Sequence, residues 1–144
     1  MFSKSCEYGI KATAYIAVQA KNSNRVSLKE IAKAIDSPVA FTAKILQQLA
    51  RTGIIDSVQG ASGGFEIRHS QINKIKLSQI VSAIDGDNIY KGCGLGLNAC
   101  NAKKPCPVHY KFQKIRDELK DMLESTTVED LTLGLKNGHT YLKR

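Results

Sequence analysis

The sequence predicts a mainly α fold carrying one small β-hairpin, and three observations support that expectation. Apolar residues recur at helical spacing through several separate segments, two successive helix-start signals stand close together near residues 27–38, and two short β-type runs flank the glycine-bearing "QGASGG" of residues 59–64.

In "CEYGIKATAYIAVQAK" the residues Tyr8, Ala12, Tyr15, Ile16 and Gln19 share one mostly apolar face, so a first helix is expected. A second opens at "SLKEIAKAI", where Ser27 and Glu30 have the spacing of a capping box and Leu28, Ile31, Ala32 and Ile35 supply a core stripe. "DSP" then turns the chain, with Ser37 as cap and Pro38 expected at the first helical position. In "VAFTAKILQQLARTG", Phe41, Ile45 and Leu49 form an apolar stripe. Ala40, Lys44, Gln47, Gln48 and Arg51 form the opposite one, and Gly53 ends the helix.

"IIDSV" and "FEI" predict the hairpin strands, and "LSQIVSAIDG" predicts a short helix ending at Gly86. Beyond a cysteine-bearing loop, Val108, Phe112, Ile115, Leu119 and Met122 follow the a/d spacing of a coiled-coil seam. About two heptads cannot sustain a free coiled coil, so this seam must bury itself against something. A last short helix capped at Thr126 or Thr127, and a loose tail, complete the chain. The expected organisation is 1–85 as one domain, 86–107 as a cysteine-rich loop, and 108–144 as a long helix with its tail.

The chain has 144 residues and a formal net charge of +8, and its front half carries most of the excess: residues 1–76 hold 11 Lys or Arg against 5 Asp or Glu. A compact basic half suits a polyanion, because cations that neutralise phosphates release condensed counterions. "MFSKSCEYG" has no apolar stretch of signal-peptide length and no run approaches a membrane span. A cytoplasmic setting without membrane association is therefore expected, and there clustered cysteines are more often metal ligands or redox thiols than disulfides.

Two helices joined by a tight turn, the second with a polar outer stripe, and then a glycine-tipped hairpin are the parts of a winged helix-turn-helix. Gln47 and Gln48 suit adenine edges, Lys44 suits guanine acceptors or phosphate, and Arg51, near the helix end, suits the backbone. Ser27 and Thr42 near the helix starts, and Gln59, Gly60, Ser62 and Gly63 at the wing tip, complete the expected contact set for double-stranded DNA.

Cys93, Cys100 and Cys106 are separated by six and five residues, and His109 follows with two between. Thiolates and an imidazole suit zinc or an iron-sulfur cluster. The wide gaps lack the C-x2-4-C knuckle of most zinc sites and favour the larger object, though spacing alone leaves both open. No nucleophile elbow, phosphate loop or paired catalytic carboxylates occur, so an enzyme acting on a small-molecule substrate is not expected.

In their order, "SLKEIAKAI", "FTAKILQQLARTGIIDSVQGASGGFEI", "LSQIVSAIDG" and the three-cysteine loop resemble the Rrf2 family of winged-helix transcriptional regulators, which includes IscR-like and NsrR-like members. That resemblance covers nearly all of the chain. It implies a homodimer joined through the long C-terminal helix and its seam residues. It also implies a two-iron or four-iron cluster ligated by Cys93, Cys100 and Cys106, with transcription controlled by cluster state through iron-sulfur status, redox or nitric oxide.

"CPVH" resembles the IscR-like arrangement, which favours His109 as fourth ligand. Glu7 stands where NsrR-like members place a carboxylate ligand, and Cys6 beside it is a third candidate. The chain departs from the family at Gln59, where a basic wing residue is common, and at Ala40 and Ala43. Two alternatives keep the fold: structural zinc, or a cysteine thiol redox switch.

Overall fold

The computed structural model describes residues 1–22 and 24–144. Its elements run α1 (Lys4–Ala20), α2 (Leu28–Ala34), α3 (Val39–Arg51), β1 (Asp56–Val58), β2 (Gly64–Glu66), a single 3-10 turn at His69–Gln71, α4 (Leu77–Asp85), α5 (Asn88–Lys91), α6 (His109–Ser125) and α7 (Val128–Lys136). This is the mainly helical winged helix-turn-helix that the sequence predicts.

Local chemistry fixes the helix starts. Ser27 Oγ accepts from the Glu30 N–H at 3.2 Å while the Ser27 N–H donates to Glu30 Oε2 at 2.8 Å, so two otherwise unpaired donors at the start of α2 are satisfied. α3 starts one residue later than expected. Pro38 is extended (φ −60°, ψ 135°) and occupies the cap, and its carbonyl accepts the Thr42 N–H at 2.9 Å. Ser37 does not cap the helix; its hydroxyl bonds that of Thr42.

Ile16 of α1, Ile31 of α2, Leu46 and Leu49 of α3 and Ile80 and Val81 of α4 are fully buried in one cluster. Each such side chain contributes roughly 1.5–3 kcal/mol relative to exposure. The C-terminal segment returns to this core. Leu123 of α6 and Val128 of α7 belong to the same cluster at 0% exposure, and α7 packs on α1. Backbone bonds stitch it there: Leu77 N–H to Thr126 O at 2.8 Å, Val128 N–H to Ile75 O at 2.8 Å, and Glu129 N–H to Ile72 O at 3.0 Å. Leu123, Val128 and α7 therefore pack with the front-half core. The tail also folds back, with Lys143 Nζ donating to the Lys33 carbonyl at 3.3 Å.

The hairpin pairs Asp56 with Glu66, Ser57 with Phe65 and Val58 with Gly64. A third segment joins it, because Val26 and Phe65 exchange backbone bonds of 3.0 and 2.8 Å. Gly64 permits that approach: its φ is +146°, and a Cβ there would stand 2.7 Å from the Val26 carbonyl oxygen. Among the described residues, no helix is long and apolar enough to cross a membrane.

Candidate functional site

Two groups of side chains stand out, one on α3 and the hairpin, the other where the cysteine loop meets α6. On α3 the hydrophobic side is anchored by Ile45, Leu46 and Leu49, which leaves Ala40, Lys44, Gln47 and Arg51 exposed along the outer face. The tip residues Gln59, Gly60 and Ser62 are exposed and Gly63 is half-buried. Ser27 is exposed, with its hydroxyl engaged in the cap of α2.

Two expected groove contacts are turned inward. Thr42 is fully buried, and its hydroxyl donates to the Pro38 carbonyl at 2.8 Å, so it cannot meet a base or phosphate from this position. Gln48 is half-buried with its amide nitrogen donating to the Ala83 carbonyl at 2.8 Å; its side chain ties α3 to α4. A polar residue on the flank of an amphipathic helix reads as exposed in sequence, yet a backbone acceptor within reach lets it be buried without penalty.

The second site gathers residues from the loop and from the first turns of α6. Cys93, Cys100 and Cys106 are free, partly buried thiols. His109 is 6% exposed, its Nδ1 lies 3.4 Å from Cys100 Sγ, and its ring meets Tyr110 edge-on. Arg116, which sequence reading overlooked, binds the group together: Nη2 donates to Cys100 Sγ at 3.0 Å and Nη1 to the Gly92 carbonyl. His109, Arg116 and Leu123 recur at seven-residue spacing on the face of α6 turned toward the protein, and a cation in that line is the signal that could have found it. Gly94 presses against the Phe112 ring, where a Cβ would come within 2.6 Å, so the loop is seated tightly on α6.

The electrostatics favour thiolate at one position. Cys93 is held below the ordinary thiol range, first by the backbone N–H groups of Leu95 and Leu97, then by the Cys106 side chain and the Arg116 guanidinium. Cys6 behaves oppositely. It is fully buried in α1, and burial together with the Asp85 carboxylate pushes its pKa up to about 12. Glu7, on the first turn of α1, pairs with Lys4 at 3.0 Å, which holds its carboxyl below the usual range. Neither Cys6 nor Glu7 hydrogen-bonds to the loop thiols or to His109.

Three thiols, an imidazole and inward N–H donors are a donor set suited to soft metals or to a sulfide-bridged cluster. Among the described residues, no three His, Cys, Asp or Glu side chains converge tightly enough to hold a single metal ion.

The seam residues divide. Val108, Phe112 and Leu119 are half-buried, but Ile115 is 58% and Met122 43% exposed. Leu95 and Leu97 of the loop are exposed as well, so the loop and α6 both present apolar side chains that the chain does not cover by itself.

A family model described as Rrf2, iron-dependent transcriptional regulator, matches residues 2–133. A candidate HTH-type transcriptional regulator of Aquifex aeolicus is 31% identical over 144 residues, covering 98% of this chain and 96% of that protein. The HTH-type transcriptional regulator IscR of Pectobacterium carotovorum is 23% identical over 124 residues, covering 86% of this chain and 74% of that one. Of solved structures, CymR of B. subtilis, described as its global cysteine regulator, superposes with a TM-score of 0.77 at 24% identity, covering 92% and 95% of the two chains. IscR of T. potens superposes with a TM-score of 0.70 at 22% identity, covering 96% and 88%.

Proposed function

The chain belongs to the Rrf2 family of transcriptional regulators, and from that premise we propose that its affinity for an operator is set by an iron-sulfur cluster held by Cys93, Cys100 and Cys106. The observation that carries this reading is the placement of Cys100 beside His109 and Arg116, and of Cys93 beside Cys106, at the head of α6. His109 is the favoured fourth ligand because it already stands beside Cys100, with Glu7 as the alternative. When bound, a cluster supplies iron whose redox and ligand chemistry responds to oxygen or nitric oxide.

The chain's own residues would transmit that state. Arg116 ties the loop to α6, and Leu123 at the far end of α6 is embedded in the core that carries α3. Ile115 and Met122, with Phe112, Leu119 and Val108 alongside, would pair with a second copy in a homodimer. Two copies of α3 would then enter successive major grooves through Lys44, Gln47 and Arg51, with the wing tip at the flank. A shift in the loop changes the spacing of the two reading helices, and a coupling of about 1–3 kcal/mol alters operator affinity roughly 5–150-fold. The protein so described is a cytoplasmic regulator, not an enzyme, and takes no small-molecule substrate.

Purification without oxygen, with iron and sulfide counts and a visible spectrum, tests the reading. His109→Ala should lose or alter the absorbance while Glu7→Ala retains it; a colourless wild-type protein after reconstitution would discard the cluster. The donor arrangement also favours a second reading. Cys93 is tuned toward thiolate with the Cys106 side chain against it, which is the start of a thiol switch. In that case iron-free protein would change its DNA affinity on reversible oxidation, and Cys106→Ser would abolish the change.

A further inference from the structure

Residues 57–67, which form most of the hairpin and all of its tip, contain no Lys or Arg, and Arg68 at the hairpin's base is paired with Asp56. A wing lying along a polyanion without a cation of its own would add little to the electrostatic share of binding. We propose that Arg25, in the connection between α1 and α2, is the wing's missing cation and contacts a DNA backbone phosphate beside the tip. The proposal deepens the DNA-binding role of the winged helix and rests on it.

The backbone places Arg25 there. Its neighbour Val26 is locked to Phe65 by two backbone bonds of 3.0 and 2.8 Å, with Gly64 leaving room for the approach. The connection between the first two helices thus lies as a third segment on the wing. From that anchor the Arg25 side chain reaches along the hairpin. Nε donates to Glu66 Oε2 at 3.0 Å and Nη1 donates to the Ser62 carbonyl, at the tip itself, at 3.3 Å. A guanidinium has five N–H donors, so these two bonds leave three for another partner. The side chain is 41% exposed, and with Asn24, Ser62, Gly63 and Glu66 it lines an open polar recess of about 480 Å³.

The charges around it fit the same role. Glu66 stands directly opposite Asp56 in the ladder, and like charges in that position repel. Each takes an arginine, Glu66 with Arg25 at 3.0 Å and Asp56 with Arg68 at 3.3 Å, so that each carboxylate faces a cation and not the other carboxylate. An exposed pair of this kind contributes little by itself. Glu66 therefore orients the guanidinium without consuming it, and planar fork geometry suits phosphate.

The test measures binding of the full chain to a mixed-sequence duplex of about 30 base pairs across a salt series, by fluorescence anisotropy. The double variant Arg25→Gln/Glu66→Gln keeps the net charge and the balance of the hairpin while removing the guanidinium. It should flatten the salt slope by about 0.9 and weaken binding about five- to tenfold near 0.1 M salt. Glu66→Gln alone should keep the wild-type slope. Lys44→Ala reports separately on the reading helix. A flatter slope in Lys44→Ala with a wild-type slope in the double variant overturns the proposal and leaves the DNA-binding face intact. If Glu66→Gln loses as much as the double variant, Arg25 only braces the hairpin and the proposal fails. Wild-type protein that ignores every duplex would remove the DNA-binding reading and the proposal with it.

Discussion

The winged-helix body and the cysteine loop with its helix α6 solve opposite problems with the same chain. In the body, capped helices close on a continuous apolar cluster in which Ile16, Ile31, Leu46, Leu49 and Ile80 are inaccessible to solvent. In the loop, residues 92–107 contribute no buried side chain, three thiols are free, and Leu95, Leu97, Ile115 and Met122 project apolar surface outward. The loop leaves its thiols and the seam only partly enclosed, which suits the soft inorganic centre and the second copy proposed above. A regulator needs this contrast, because a segment that answers to a ligand must have a low local stability while the reading helix stays rigid.

The comparison breaks or sharpens under substitution. The largest effect belongs to the body: Leu49→Ala should lower unfolding free energy by about 2–5 kcal/mol in chemical denaturation, through lost burial and the cavity left behind. Ile115→Asp should convert a dimer to a monomer in sedimentation while changing the monomer's own stability by less than about 0.5 kcal/mol, since the side chain is already exposed. Ser27→Ala, which removes the α2 cap, should cost about 1 kcal/mol. The smallest effect belongs to the loop. Cys100→Ser in iron-free protein should shift stability by no more than about 0.5 kcal/mol, although the same change should abolish cluster retention.

Thiol reactivity reads the same contrast without mutation. Cys93, with its pKa depressed by the Leu95 and Leu97 amides, holds its thiolate below the pH at which an ordinary thiol titrates. Cys6, raised to about 12 and buried, stays a thiol near neutral pH. An alkylating reagent near pH 7 should therefore modify Cys93 well ahead of Cys6 in native, iron-free protein, and mass spectrometry of the digested chain would show it. Equal labelling of both would mean that α1 opens readily.

The body was legible in the sequence because its signals are local. The Ser27–Glu30 spacing, the four-residue repeat of Phe41, Ile45 and Leu49, and the β-type runs around residues 59–64 each act within a few residues, and the structure realises them. The structure differs from that reading at a helix start and where a partner far along the chain decides. Pro38 became the cap and not the first helical residue, and Thr42 turned inward once the Pro38 carbonyl was available to its hydroxyl. Gln48 was claimed by Ala83, far along the chain. Nothing near residue 128 announces that α7 returns to α1, because that docking depends on carbonyls of Ile72 and Ile75. In the loop, sequence named the thiols and His109 but passed over Arg116, whose importance lies in reaching Gly92 and Cys100 across the turn.

Affinity for one duplex, selected from a random pool with the full chain, measured without oxygen on reconstituted and on iron-free protein, bears most directly on the central claim. The account predicts a difference of at least about fivefold between the two states, lost in Cys100→Ser. Equal affinity in both states, with iron demonstrably bound in one, would contradict it.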